Sequence, residues 1–197
     1  MRIVGILLAA GRGTRFGGDK LWAPLGNASL DVPAATPLGV AAATHLVAAL
    51  PDAIAVVRPR DTQLAQRLCD SGLRIVECAN ADDGMGASLA CGVAAAQEAD
   101  GWVVALADMP WITPATIEAV AAAVAAGADI AAPAYRGERG HPVGFARYHF
   151  ASLAALTGDA GARSLIERFP DRLVLIDVGD PGVIRDVDTR RDLAPDD

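Results

Sequence analysis

Six apolar runs of strand length recur along the chain, at Ile3–Ala9, Ala53–Val57, Arg74–Glu77, Trp102–Ala107, Asp129–Ala132 and Leu173–Val178. Alanine-rich stretches of helix length, Leu38–Leu50, Thr62–Ser71, Ala87–Glu98 and Pro114–Ala126, lie between most of them, and Thr113–Pro114 supplies an N-cap followed by proline at the first helical position. Alternation of this kind implies right-handed βαβ crossovers and a mostly parallel sheet. The expected fold is α/β, a Rossmann-like three-layer α/β/α arrangement. At 197 residues the chain fits one domain. The chain is 52% hydrophobic but only 5% aromatic, so Ala, Val, Leu and Ile must build the core. In an open parallel sheet ligands sit beyond the carboxyl ends of the strands. Chemistry is therefore sought in residues 10–20 after the first strand and 108–110 after the fourth.

The formal net charge of −7 argues against a nucleic-acid partner. A small anionic substrate is compatible with it, because a few basic side chains and backbone N–H groups create a local positive site. Cys69, Cys78 and Cys91 are widely spaced, contain no CxxC pair and are odd in number, which argues against a disulfide framework and a zinc site; they read as small packing residues. The apolar N-terminus is too short to span a bilayer and runs into a glycine loop rather than a cleavage site. A cytoplasmic protein with no membrane partner is expected.

The loop after the first strand reads Ala9-Ala10-Gly11-Arg12-Gly13-Thr14-Arg15-Phe16-Gly17-Gly18-Asp19-Lys20. Its glycines let backbone N–H groups converge on an anion, and Arg15 and Lys20 add charge for triphosphate oxygens. It is not a Walker loop, since Gly18 is followed by Asp19 and Lys20 by Leu21. Nor is it the dinucleotide fingerprint, whose last glycine would stand where Phe16 stands.

The segment Leu8–Gly17, with Lys20-Leu21 and Pro24-Leu25, resembles the signature loop of the MobA-like NTP transferases. Later blocks resemble one subgroup, the molybdenum cofactor cytidylyltransferases: Asn80 with Gly84-Met85-Gly86-Ala87-Ser88-Leu89, Asp108-Met109-Pro110, Arg139-Gly140-His141-Pro142-Val143, Gly158-Asp159 with Gly161-Ala162-Arg163, and Asp186-Val187-Asp188-Thr189. The stretch Asn27–Pro37 departs from the family pattern, which passes quickly into a helix there.

The resemblance implies a fold of the nucleotide-diphospho-sugar transferase type, with nucleotide bound by the N-terminal part and acceptor by the C-terminal part. It implies nucleotide contacts from Leu8, Ala9, Ala10, Gly11, Gly13, Thr14, Arg15, Lys20, Asn80, Gly84 and Ser88. Arg15, Lys20 and Asp108 would serve catalysis, His141, Pro142 and Arg163 the acceptor, and Asp108, Asp186 and Asp188 a magnesium ion. The implied reaction moves CMP from CTP to molybdopterin with release of pyrophosphate, the product passing to a molybdoenzyme or its chaperone. A guanylyltransferase on the same cofactor, a transferase acting on a sugar phosphate or other phosphorylated metabolite, and a non-catalytic carrier are the alternatives.

Read from the residues alone, Asp108 directly follows a buried strand, at the edge where a hard divalent cation could share a carboxylate with substrate phosphates. A turn-capping role is the competing reading. Asp186 and Asp188 alternate along an extended segment and so share a face, either a site or a solvated acidic surface. His141, beside Gly140 and Pro142, reads as a substrate contact or a loop hydrogen-bonding group. His45 and His149 have structural readings only. Arg163 opens a helix over Arg163–Phe169, either receiving the acceptor phosphate or lying on the surface. No general base is needed, because an acceptor phosphate is already ionised at neutral pH. If the loop assignment holds, Lys20→Ala weakens NTP binding without unfolding the protein; titration calorimetry giving unchanged affinity in both Lys20→Ala and Arg15→Ala contradicts it.

Overall fold

The computed structural model describes residues 1–25, 33, 35–159 and 161–193. Eight strands, β1 (Ile3–Leu8), β2 (Ala53–Val57), β3 (Arg74–Glu77), β4 (Gly101–Leu106), β5 (Ile130–Tyr135), β6 (Glu138–Arg139), β7 (Val143–Ala146) and β8 (Leu173–Asp177), form one sheet. Its order is β3-β2-β1-β4-β7-β5-β6, with β8 pairing β5. β1 is parallel to both β2 and β4, β2 to β3, and β5 to β8, whereas β7 is antiparallel to β4 and β5 and β6 is antiparallel to β5. The sheet is therefore mixed and mostly parallel, as the alternation implies.

The helices are α1 (Leu38–Ala49), α2 (Thr62–Asp70), α3 (Met85–Ala95), α4 (Pro114–Ala125), α5 (Phe150–Ala154) and α6 (Arg163–Arg168). Successive strand residues face opposite sides of the sheet, and each side meets its own helices. Leu7, Ala55, Val57, Val103 and Ala105 pack with Leu38 and Leu46 of α1, Leu64 and Leu68 of α2, and Ile117, Val120 and Val124 of α4. On the other face Val4, Ile6, Ile54, Val56, Trp102 and Val104 pack with Leu89 and Val93 of α3, Leu153 of α5, and Leu165 and Ile166 of α6. This is the three-layer α/β/α arrangement expected from the sequence.

Thr113 caps α4 through its hydroxyl, which accepts from Thr116 N, with Pro114 at the helix start. α3 begins two residues before the Ala87 boundary, because Gly84 turns the chain at φ +114°. Strands β6 and β7 were not expected. The β7 run is four residues long and contains Gly144, whose bare Cα admits Val124 and Val120 of α4: a Cβ there would stand 2.6 Å from Val124 Cγ2. Of the unusual 27–37 stretch, residues 27–32 and 34 lie outside the described residues. Its flanks are pinned by Leu25 N donating to Thr36 O at 3.1 Å and Leu38 N to Ala23 O at 3.0 Å.

Among the described residues no helix is long and apolar enough to cross a membrane. Of the cysteines, Cys78 is buried, Cys91 partly buried and Cys69 exposed. Trp102 is fully buried and its Nε1–H donates to Ala96 O at 3.1 Å. Trp102→Phe keeps a ring there and removes one of the two hydrogen bonds on Ala96 O, which also accepts from Ala99 N at 3.1 Å. A loss of about 0.5–1.5 kcal/mol from that bond is expected in urea unfolding at pH 7.

Candidate active site

The sheet places two loops side by side. β1 and β4 pair in register from Ile3 with Gly101 to Leu8 with Leu106, and Ala107 N donates to Leu8 O at 3.1 Å. The chain runs from β1 to β2 and β3 on one side and then returns to β4 on the other, so β1 and β4 flank the switch in strand order where ligands gather in such sheets. A cleft of about 350 Å³ opens there. Of the residues expected to bind nucleotide, Leu8, Ala10, Gly11, Gly13, Thr14, Lys20, Gly84 and Ser88 line it, as does Asp108.

The loop is a compact series of turns. Phe16 N donates to Gly13 O at 3.0 Å and Gly18 N to the same oxygen at 3.4 Å, with Gly13 in the left-handed region at φ +58°. This folds Lys20 back over the strand ends. Its side chain is 12% exposed, and its Nζ donates to Asp108 Oδ2 at 2.8 Å and stands 3.8 Å from Asp188 Oδ1. Gly84 closes the opposite wall: a Cβ at that position would fall 2.4 Å from the Gly158 carbonyl carbon, so no larger residue fits.

Asp186 and Asp188 arrive on a C-terminal strap. Val187 N donates to Asp108 O at 3.0 Å, which carries the flanking carboxylates to the end of β4. Arg15, largely exposed, donates to Asp188 Oδ2 at 2.8 Å. Asp186 is an exposed residue, yet partial desolvation of its carboxyl raises it above the ordinary carboxylate range, and the negative charges of Asp188 and Asp108 raise it further, against the opposing pulls of a backbone hydrogen bond and Lys20. The three carboxylates expected to act together thus share one electrostatic environment. They do not form a preformed cage: among the described residues no group of three His, Cys, Asp or Glu side chains could hold a metal ion as placed, and Asp108 gives one oxygen to Lys20. Hard oxygen donors with excess negative charge are the chemistry that suits magnesium, which takes few carboxylates and keeps water and phosphate ligands.

A second cavity of about 160 Å³ adjoins the cleft through Leu8, Met85 and Leu106. Arg139, His141 and Arg163 bring polar groups to its otherwise apolar wall of Leu89, Val104, Val143, Phe145 and Ile166. Burial pushes the His141 imidazole down to about 4, the Arg139 cation adds to the shift and Asp108 opposes it, so it is neutral at physiological pH. Its Nδ1 is buried without a hydrogen-bond partner among the described residues. A buried N–H without an acceptor is the rarer condition, which favours the tautomer bearing its proton on Nε2.

Some expected residues lie elsewhere. Asn80 does not line the cleft; its Oδ1 accepts from Cys78 Sγ at 3.3 Å. Ala9 faces a neighbouring hollow beneath the loop, Arg15 among the described residues reaches the site through Asp188, and Pro142, joined to His141 by a cis bond, is buried off the second cavity. Arg163 ion-pairs with Glu167 at 2.8 Å on a six-residue helix. His45 Nδ1–H donates to Ile112 O at 2.9 Å, and His149 sits among Phe145, Tyr148 and Phe169, both in structural roles.

Sequence reasoning missed Arg58 and Asp82. Arg58 Nε donates to Ala10 O at 2.6 Å, and Asp82 bridges Arg12 at 2.6 Å and Arg58 at 3.0 Å, tying the glycine loop to the cleft rim. Hydrogen bonding from Arg12 is the main cause holding the Asp82 carboxyl below its ordinary value. The available signal was position, since Arg58 directly follows β2 at the ligand edge.

Residues 5–173 match the MobA-like NTP transferase domain, and the chain belongs to that family. It is 32% identical to the nicotine blue oxidoreductase of Paenarthrobacter nicotinovorans over 95% of this chain and 92% of that protein. Among solved structures, a Mycobacterium sp. strain JC1 homologue of Mycobacterium tuberculosis Rv0371c is 30% identical with a TM-score of 0.77, over 97% of this chain and 92% of that one. Rv0371c in complex with manganese, from Mycobacterium tuberculosis H37Rv, is 28% identical with a TM-score of 0.72, over 98% and 96%. The family is the one the loop resembles. The subgroup resemblance is not matched by the name of the Paenarthrobacter nicotinovorans relative, an oxidoreductase, nor by that of the purine catabolism protein PucB of Bacillus subtilis, 27% identical over 95% of this chain and 92% of that protein.

The crowding of Asp186 has a stability consequence. Because its folded pKa is raised, the ionised form costs stability above that pKa, and the cost disappears below the ordinary value of 3.8 where both states are protonated. Asp186→Asn therefore raises the melting temperature of the metal-free protein at pH 7, by no more than about 1 °C, because solvent screens an exposed charge. Differential scanning calorimetry should show the gain fading by about pH 3.

Proposed function

We propose that this protein transfers CMP from CTP to molybdopterin and releases pyrophosphate. The observation that carries the transferase reading is the Lys20–Asp108 contact of 2.8 Å at the mouth of the glycine loop, where a cation and a carboxylate neutralise each other. Triphosphate entering the cleft offers Lys20 a more highly charged partner, and the loop's N–H groups receive phosphate oxygens. Asp108 is then free of its lysine. Asp108, with Asp186 and Asp188, would hold magnesium, which when bound neutralises phosphate charge; the manganese complex of the Mycobacterium tuberculosis relative supports a divalent cation.

The acceptor enters through the adjoining cavity. Arg139 and Arg163 attract its phosphate, and neutral His141 offers an Nε2–H to a polar edge of an otherwise apolar group. An oxygen of the acceptor phosphate attacks the α-phosphorus in line, the bond to the β-phosphate oxygen breaks, and pyrophosphate leaves with the electron pair. The chain's own contribution is to align the two phosphates and screen their repulsion. The resemblance of residues 84–89 to the cytidylyl subgroup supports CTP as donor.

Asp108→Asn preserves shape and removes one negative charge. It should slow pyrophosphate release by on the order of 10² to 10³ with the fold intact by circular dichroism. A near-normal rate at low magnesium returns Asp108 to a turn-capping role. With molybdopterin as acceptor, CTP should outperform GTP at matched concentration, and the reverse order makes the protein a guanylyltransferase.

A further inference from the structure

The strap that delivers Asp186 and Asp188 contains only a short 3-10 turn, Pro181–Ile184, between β8 and its contact with Asp108. Something other than regular secondary structure must fix its position. Asp180 stands at its start, 8% exposed. Its Oδ2 accepts from Thr113 N at 2.9 Å, Thr113 Oγ1 at 2.9 Å and Thr116 Oγ1 at 2.7 Å, and its Oδ1 accepts from Gly182 N at 2.9 Å. One buried carboxylate thus joins the N-terminus of α4, where the helix dipole favours negative charge, to the first turn of the strap.

The contacts downstream leave little slack. A Cβ on Gly182 would lie 2.3 Å from Trp111 O, and one on Gly140 would lie 2.2 Å from Val183 O. His141 N donates to Val183 O at 2.9 Å, Val183 and Val187 are fully buried, and Arg185 covers the Trp111 ring at 3.8 Å. The strap therefore touches both halves of the site: the His141 loop through Val183 and the Asp108 end of β4 through Val187. Four hydrogen bonds on Asp180 set the register of that whole run.

We infer that Asp180 is a positioning residue, a latch that holds residues 181–188 so that Asp186 and Asp188 face Asp108 and Lys20. The latch is distinct from the residues assigned to substrate or cation, although its link to cation binding rests on the proposed magnesium role of the three carboxylates. Asn cannot replace Asp here. Either orientation of its amide puts an NH2 group against an N–H or O–H donor, at Gly182 or at the threonines. Thr116→Val removes a single donor with little change of shape, and Thr116→Ser retains it.

The test measures Mn2+ binding by electron paramagnetic resonance and backbone hydrogen exchange by mass spectrometry, on the full chain. Asp180→Asn and the milder Thr116→Val should each weaken Mn2+ binding by about 10-fold or more, in line with losses of residues that orient ligands. Both should speed exchange at Val183 and Val187 while β1 and β4 stay protected, and Thr116→Ser should behave as wild type. Wild-type Mn2+ affinity in both variants, with only a lower melting temperature, overturns the latch and leaves Asp180 a helix cap. If the wild-type protein itself binds no Mn2+, the cation assignment fails instead. Exchange then decides alone: unchanged protection at Val183 and Val187 in both variants refutes the latch, and selective loss there upholds it.

Discussion

The parallel pairing of β1 with β4 is the constraint from which the site follows. Two strands with buried centres, paired in register, must end together, Leu8 beside Leu106, so the glycine loop and Asp108 have nowhere to go but the same edge. The core on either face fixes this geometry, since Val4 and Ile6 pack with one helical layer and Leu7 with the other. A shift of one residue would turn each set toward the wrong layer. The cation and carboxylate at the centre of the cleft are thus placed by hydrophobic packing rather than by their mutual attraction.

Charge then balances on that scaffold. Lys20, Arg15, Arg12 and Arg58 are each held by a carboxylate, at Asp108, Asp188 and Asp82. An acidic protein in this way keeps a locally basic loop without exposing unpaired cations to one another. Arg15 and Arg12 are exposed and their pairs contribute little stability; under the proposed function they stand ready for anionic phosphate. Asp186 bears the opposite condition, carrying a charge that its surroundings resist.

Much of this was legible from sequence because it depends on local pattern. The strands β1 to β4, the four long helices, the loop and the position of Asp108 all follow from apolar runs and the residues that punctuate them. The antiparallel insertion β6–β7 was not, because Val143–Ala146 is short and its Gly144 reflects a neighbour on α4 rather than any local preference. Asn80 was placed in the cleft by resemblance, whereas its side chain holds Cys78. Asp82 was missed for the converse reason: an acidic residue in a turn reads as solvated until the fold brings Arg12 and Arg58 to it. The same holds for Asp180, whose partners lie 64 and 67 residues away in sequence.

The Lys20–Asp108 pair is proposed as the point where triphosphate and a divalent cation meet. A crystal structure with a non-hydrolysable CTP analogue and Mn2+, read at the manganese absorption edge, tests this. An anomalous peak is expected against Asp108, with the triphosphate on the 11–20 loop and Lys20 turned from Asp108 to a phosphate oxygen. Nucleotide bound outside this cleft, or bound in it with the Lys20–Asp108 ion pair unbroken and no metal at Asp108, contradicts it.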